Sequence, residues 1–462
     1  MSQGKAAKLF GTDGIRGRAG EFPLDEATVE RIGRALVINI GDNSGRSPRL
    51  LIGRDTRQSG PQIEAALTRG ALSAGASVES AGVITTPGVA YVTRACGFDA
   101  GVVISASHNP FHDNGIKVFS PSGKKLADDM ERRIERDIAL AAARPDAQAA
   151  NLVSSDAEQR SHDHEATYHA AYLDFLAKQI AGDLNLEGFH LGIDCANGAA
   201  CEFAPELFRR LGAQVEVIAN TPDGRNINEG CGSLHLEGLQ RLVRDRHLDL
   251  GIAFDGDADR ALFVDAAGNL VDGDATLLIL ADEVKRQGHL SGDTVVATVM
   301  SNIGLELALG ERGVRLVRAN VGDRYVLEEL LARGASLGGE QSGHIIFPNL
   351  SLAGDGMITA IEMLRAVHAS GRPLGELAAG LRRFPQVLVN VEVSRKVPLD
   401  SIPEVKQAMD QIENELQGRG RLLVRYSGTE NLARVMIEGE MQEHIEAQAR
   451  ILADCIRAAI GK

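Results

Sequence analysis

One pattern constrains this chain more than any other. Three short apolar segments, separated by amphipathic stretches, recur as a group three times along the sequence. The first group is "RLLIGRDTR", "ASVESAGVI" and "DAGVVISASHNP". The second is "FHLGIDCANG", "AQVEVIANTPDG" and "LDLGIAFDGDADR". The third is "TVVATVMSN", "VRLVRANVGDR" and "ASLGGEQSGH". Stretches such as "PQIEAALTRGALSAG" and "CEFAPELFRRLGA" supply the helices between them. The apolar runs are too continuous for half-exposed strands, so each group reads as parallel strands buried between helices. Recurrence at this spacing indicates duplicated domains rather than a short-period solenoid. The expected fold is α/β: three duplicated α/β domains with mixed, largely parallel sheets, plus a smaller C-terminal α+β domain. The expected boundaries are 1–166, 167–264, 265–374 and 375–462. A polar stretch, "DAQAANLVSSDAEQRSHDHEA", separates the first two domains. The adjoining "SHDHEATYH" lacks the HExxH spacing of a zinc site and reads as a solvated surface.

Composition agrees with close-packed α/β layers. Aromatic residues make up 4% and Trp is absent, whereas glycine is abundant at 51 residues, which lets helices lie close to a sheet. A net charge of −14 argues against nucleic acid as a partner. Five cysteines, Cys96, Cys195, Cys201, Cys231 and Cys455, form no CxxC pair, which points to a reducing compartment. The N-terminus has no apolar signal segment, and the least charged stretch, Ala71 to Thr93, is broken by Gly, Pro and Glu79. No membrane span and a cytoplasmic location are expected.

The third segment of every group ends in the most unusual loop of that group, and ligands of open α/β sheets bind beyond the carboxyl ends of strands. In "DGDADR", Asp255, Asp257 and Asp259 alternate directly after an apolar run. Carboxylates this close repel unless a cation lies among them, and hard oxygen ligands suit Mg²⁺. A calcium EF-hand requires glycine and glutamate where this loop has Arg260 and Ala266. A phosphatase with an aspartyl nucleophile uses paired aspartates in the same way and stays open as a rival. In "ISASHNP", Asn109 and Pro110 prevent immediate helix entry and leave Ser107 and His108 at the strand end, with Lys117 soon after. Ser107 is favoured over Ser105, which lies nearer the strand. A serine is a weak nucleophile, but a phosphoserine stores a transferable group, so serine and aspartate loops belong together. In "GGEQSGH", Glu340, Ser342 and His344 are suited to sugar hydroxyls or an amine. In "RYSGTENLARVM", Arg425, Ser427, Gly428, Thr429 and Arg434 form an anion cradle without a Walker sequence. Arg16 in "FGTDGIRG" is a further phosphate contact. Arg324, Ser301 and Asn302 end strands of the third domain and are expected to line the cleft.

With these motifs in this order, the chain resembles the α-D-phosphohexomutases over essentially its whole length. The resemblance implies four domains, a reactive phosphoserine at Ser107, and Mg²⁺ held by Asp255, Asp257 and Asp259 with one phosphoserine oxygen. It implies a sugar loop at Glu340, Ser342 and His344, and a distal phosphate loop at Arg425, Ser427, Gly428 and Thr429. Arg16, His108, Asn109, Lys117 and Arg260 match positions around the reacting phosphate, with Lys117 or His108 as general acid/base. The expected substrate is a hexosamine phosphate, with glucose or mannose phosphate as the alternative. Glucosamine 1,6-bisphosphate or glucose 1,6-bisphosphate is the expected activator, and a homodimer the expected assembly. Members commonly carry Gly where Ala258 stands and Pro where Asn431 stands. Neither change removes a ligand.

Overall fold

The computed structural model describes residues 8–11, 13–41, 46–142, 164–427 and 431–462. Most of the polar stretch after the first group, including Ser161, His162 and Asp163, lies outside them, as do Gly428 and Thr429.

The described residues form two compact units. One comprises Met1–Met300 with Leu316–Ala379, and the other Ser301–Arg315 with Gly380–Lys462. The larger unit contains three sheets. The first has β1 (Phe10–Gly11), β2 (Gly14–Arg18), β3 (Arg49–Arg54), β4 (Ser77–Val83), β5 (Ala100–Ile104) and β6 (Asp113–Phe119), in the order β1-β2-β6-β5-β3-β4. The second has β7 (His190–Asp194), β8 (Gln214–Ile218), β9 (Leu250–Phe254), β10 (Ala261–Asp265) and β11 (Leu270–Val271), in the order β11-β10-β9-β7-β8. It runs past the expected boundary at Val264. The third has β12 (Thr294–Thr298), β13 (Arg315–Ala319), β14 (Gly338–Gly339) and β15 (Ile345–Ile346), in the order β13-β12-β14-β15.

One arrangement recurs in all three. The first strand of each group is flanked by the second on one side and the third on the other, with parallel pairing between first and third. The third strand then pairs antiparallel with the strand that follows it: β5 with β6, β9 with β10, β14 with β15. Each chemistry-bearing loop is therefore the connection of one antiparallel pair. β5, β9, β10 and β12 are buried at every residue, which explains the unbroken apolar sequences of β5 and β9 and the apolar centres of β10 and β12.

Helices α1 (Glu26–Ile40) and α2 (Gly60–Ser73) show how small residues shape the first layer. Asp25 caps α1 by accepting from the Thr28 N–H at 3.0 Å, and Pro61 opens α2. A methyl group on Gly70 would lie 1.9 Å from the Glu30 carbonyl oxygen, and one on Gly33 2.2 Å from that of Leu67. Each obstacle is backbone, so Gly70→Ala must force the two helices apart. We expect it to cost about 1–3 kcal/mol, read as a lower thermal midpoint with no change in substrate KM.

The smaller unit holds β16 (Gln386–Glu392), β17 (Arg421–Tyr426) and β18 (Leu432–Glu438), antiparallel in the order β16-β18-β17. Val391, Val435 and Ile437 pack against Ile412, Leu452 and Ile456 of the helices Pro403–Leu416 and Gln442–Ile460. The mid-chain helix Ile303–Glu311 belongs to this unit. Asn302 accepts from Gly304 N at 3.0 Å and Phe384 N at 3.1 Å, so it is a helix cap. The buried Glu438 accepts from Ile303 N at 3.1 Å and from Arg421 Nε at 3.0 Å, and Arg421 also donates to the Ser301 carbonyl. Among the described residues, no helix is long and apolar enough to cross a membrane.

Candidate active site

The connection from β5 to β6 presents Ser107. Its backbone takes φ +52°, in the left-handed region, which lifts the side chain out of line with the strand. Ser107 Oγ donates to Asp255 Oδ2 at 2.5 Å and lies 3.3 Å from His108 Nδ1. Ser105 is engaged elsewhere: it donates to Asp55 at 2.6 Å and accepts from Ser107 N at 2.9 Å. The loop backbone approaches the aspartate loop so closely that a methyl group on Gly256 would meet the Ser107 carbonyl oxygen at 2.5 Å.

The connection from β9 to β10 carries the three aspartates. One carboxylate oxygen of each can be chosen so that all lie within 4.8 Å of one another, and all three residues are buried. Asp257 Oδ1 and Asp259 Oδ1 are buried oxygens with no hydrogen-bond partner. Burial, with Asp259 and Asp257 as neighbours, pushes the Asp255 carboxyl well above its ordinary pKa. This hard-oxygen set with inward-facing orphan acceptors fits Mg²⁺. Burial also acts on Asp259, but Lys117 and His344 outweigh it and hold that carboxyl well below the usual range. Ala258 sits at φ +56°, a conformation that glycine adopts freely and that costs an alanine about 1 kcal/mol.

Cations surround this acidic centre. Lys117 is fully buried on β6, and its Nζ lies 2.9 Å from Asp257, 3.3 Å from Asp259 and 3.3 Å from Asp13. Burial alone would lower its pKa, but these carboxylates raise it well above the ordinary value. Arg260 Nη1 lies 3.2 Å from His108 Nδ1. A guanidinium only donates, so that nitrogen carries no proton. Burial and the nearby Arg260 and Arg16 lower the His108 pKa to about 4. His344 is held the other way: Asp259, Asp323 and Glu340 outweigh burial and raise its pKa to about 9.

These groups border a cavity of about 420 Å³ whose lining includes Arg16, His108, Arg260, Glu340 and His344. Arg16 Nε and Arg260 Nε are buried donors with no hydrogen-bond partner, as an anion-binding wall requires. Asn109 sits between Arg16, which donates to it at 3.4 Å, and Asp113, to which it donates at 3.0 Å. Glu340 accepts from Gly322 N at 3.1 Å and from Ser342 Oγ at 3.3 Å.

Sequence profiles of the phosphoglucomutase/phosphomannomutase domains match this chain in order: α/β/α domain I at residues 7–144, domain II at 170–268, domain III at 272–384, and the C-terminal domain at 388–454. The chain belongs to the phosphoglucomutase/phosphomannomutase family. A family member named phosphoglucosamine mutase from Koribacter versatilis is 49% identical over 462 residues, covering 98% of this chain and 97% of the relative. The fold matches that of a family protein from Burkholderia thailandensis, with TM-score 0.77, 23% identity and coverage of 98% and 97% of the two chains. It also matches an Aspergillus fumigatus N-acetylphosphoglucosamine mutase solved with GlcNAc-6P and magnesium, with TM-score 0.67, 19% identity and coverage of 98% and 96%.

The residues expected at the family's reacting centre, Arg16, Ser107, His108, Asn109, Lys117, the three aspartates, Arg260, Glu340, Ser342 and His344, all belong to the larger unit. Arg425, Ser427 and Arg434 belong to the smaller one. There Arg425 and Arg434 face each other in register on β17 and β18, and Lys396 Nζ donates to the Ser427 carbonyl at 2.6 Å. Burial and Arg434 lower the Arg425 pKa. Arg324 turns to Asp128 and Glu328.

Several residues that shape the site went unnoticed in the sequence. Thr86 donates to Asp257 at 2.6 Å. Asn228 donates to the carbonyls of Ser107 at 2.9 Å and Asn109 at 3.1 Å. Arg57 is fully buried and donates to the carbonyls of Ser107, Asn109, Pro110 and Asp113, while its Nε pairs with Asp55 at 2.8 Å. One guanidinium thus organises the whole serine loop. The only local hint was two arginines flanking an aspartate in "GRDTR".

Proposed function

We propose that this chain interconverts glucosamine 6-phosphate and glucosamine 1-phosphate through phosphorylated Ser107 and a glucosamine 1,6-bisphosphate intermediate. The observation that carries the reading is the 2.5 Å contact between Ser107 Oγ and Asp255, within a cluster of three aspartates and beside an arginine-lined cavity. The choice of glucosamine rests on the 49% identity to a relative named for that activity. Asp255, Asp257 and Asp259, with an oxygen of phospho-Ser107, would hold Mg²⁺, which when bound neutralises charge on the transferring phosphoryl group. Arg16 and Arg260 grip that group from the cavity wall, and Lys117 balances the aspartates from behind.

The sugar O1 attacks phosphorus as the bond from phosphorus to Ser107 Oγ breaks, and the O1 proton passes through a base to the departing Ser107 Oγ. Two basic groups stand at this centre, Lys117 among three carboxylates and His108 with Nδ1 3.3 Å from Ser107 Oγ, and the base is one of these two. In the second half Ser107 Oγ attacks the 6-phosphate, and its proton passes through the base to the departing O6. Glu340, Ser342 and His344 orient the amino sugar. Arg425, Ser427, Gly428, Thr429 and Arg434 hold whichever phosphate is not reacting, so that the bisphosphate can turn over. The product supplies UDP-N-acetylglucosamine and cell-wall precursor synthesis, and the enzyme is a cytoplasmic homodimer that engages neither nucleic acid nor membrane.

The test is turnover of glucosamine, glucose and mannose 6-phosphates by purified protein primed with glucose 1,6-bisphosphate and Mg²⁺. We expect kcat/KM for the amino sugar to exceed the others by at least about tenfold. EDTA should abolish turnover and Mg²⁺ restore it. A preference for glucose or mannose phosphate would overturn the substrate assignment. Stoichiometric release of inorganic phosphate would overturn the mutase reading in favour of a phosphatase.

A further inference from the structure

Six charged side chains at the candidate active site close on one another. Asp13 lies 3.3 Å from Lys117, Lys117 3.3 Å from Asp259, and Asp259 3.5 Å from His344. His344 lies 3.7 Å from Asp323, Asp323 2.6 Å from Lys125, and Lys125 is in direct contact with Asp13. The result is a closed ring in which acidic and basic side chains alternate. Its members come from three different segments: Asp13, Lys117 and Lys125 from the match to domain I, Asp259 from domain II, and Asp323 and His344 from domain III. All six lie in the larger unit.

We propose that Lys125 and Asp323 are positioning residues for the reaction, which close this ring and thereby fix Lys117 and His344 against the aspartate loop. The proposal rests on the mutase reading above. Lys117 and His344 are the buried basic members of the ring, with side chains 1% and 6% exposed. A buried charge that loses one partner is strongly destabilised and moves to find another. Asp13 and Asp323 are the outer partners of these two side chains, and Lys125 alone among the ring members touches both. Removing Lys125 leaves two carboxylates without their shared cation, and the lesion passes inward through Lys117 and His344 to Asp259. Lys125 itself is absent from the lining of the arginine-rich cavity. It borders a separate, mainly apolar cavity of about 190 Å³, whose wall includes Leu126, Leu327 and Ile346. Lys125 therefore acts through other residues and not by touching the sugar phosphate, whereas Asp323 borders both cavities and enters the proposal as the partner of Lys125.

The backbone supports the same design. Lys125 follows the turn that ends β6 and is tied back to it by a bridge between Phe119 and Lys125. Asp323 opens the helix Asp323–Arg333 directly after Gly322, whose N–H is held by Glu340. A shift of the ring at its outer edge is thus coupled to the turn that carries Glu340 and His344.

The experiment compares Lys125→Met, Asp323→Asn, their double variant and Lys125→Arg, measuring kcat and KM on whichever hexose phosphate the wild type turns over. We expect each single neutralisation to lower kcat by about 10–100-fold with little change in KM. The double variant should be no slower than the worse single, because both changes break the same Lys125–Asp323 contact. Lys125→Arg should keep kcat within a few-fold of wild type. Since Asp323→Asn and Lys125→Arg preserve shape, they keep the test open if Lys125→Met misfolds. Single variants with wild-type kcat, or losses that multiply in the double variant, would overturn the proposal. A wild type that turns over glucose phosphates but not glucosamine phosphates would overturn only the substrate assignment, because the ring is read on the accepted sugar.

Discussion

Ser107→Ala should abolish interconversion of the hexosamine phosphates, with kcat falling by at least about 10⁴-fold. No other hydroxyl can substitute at the reacting position. Ser105 is committed to Asp55 and to the Ser107 backbone. The fold should survive, since alanine tolerates φ +52° about as well as serine. The lost hydrogen bond to Asp255 costs only about 1 kcal/mol. Intact mass gives the decisive comparison. Wild-type protein incubated with glucose 1,6-bisphosphate should gain one phosphoryl group, and the variant none. A variant that still interconverts substrates at the wild-type rate would remove the phosphoserine from the mechanism altogether.

Arg57→Met should cost about 3–5 kcal/mol of stability, as expected when one partner of a buried ion pair is removed. The side chain is of similar length and apolar, so the loss is electrostatic and not a matter of volume. Four carbonyls of the serine loop lose one donor, with Asn228 still serving those of Ser107 and Asn109, and Asp55 is left buried beside Ser105. Burial already pushes the Asp55 carboxyl upward against the pull of Arg57, so removing the cation drives it further toward the neutral acid. Denaturant unfolding and kcat should fall together, because the same bonds hold the chain that carries Ser107. Adding Asp55→Asn should recover part of the stability by removing the unpaired charge, but not kcat, since the serine loop still lacks the guanidinium that ties its four carbonyls together. Unchanged unfolding of Arg57→Met would show that Asn228 and the backbone alone fix the loop.

What could be read from the sequence were features whose cause is local. "LGIAF" and "GVVI" are buried strands because a parallel centre admits no polar residue, and their ends are visible where Asp255 and Ser105 begin. The three alternating aspartates mark a cluster that could hold a metal ion, and the structure brings one oxygen of each within 4.8 Å of the others. What escaped notice depends on contacts distant in sequence. The return strands β6 and β10 are not announced by the sequence, because "NGIKVF" and "ALFVD" are too short to signal antiparallel pairing. Arg57 lies 50 residues before the carbonyl of Ser107 that it serves. Asn302 was read as a cleft residue from its position after a strand. Its role as a cap appears only when Phe384 and Glu438 are seen beside it. The charge ring combines six residues from three segments, and no window of sequence contains more than a few of them.

The composition of the smaller unit limits how such enzymes can be recombined. Because Ser301–Arg315 arrives from the middle of the chain, a crossover near residue 380 transfers only part of what packs together. A chimaera built there places a foreign Phe384 and Glu438 against the host's Asn302 and the helix that begins at Ile303. Compatible exchange therefore requires moving two non-contiguous stretches together. Homologous exchange of the tail alone is confined to parents that already agree at this junction.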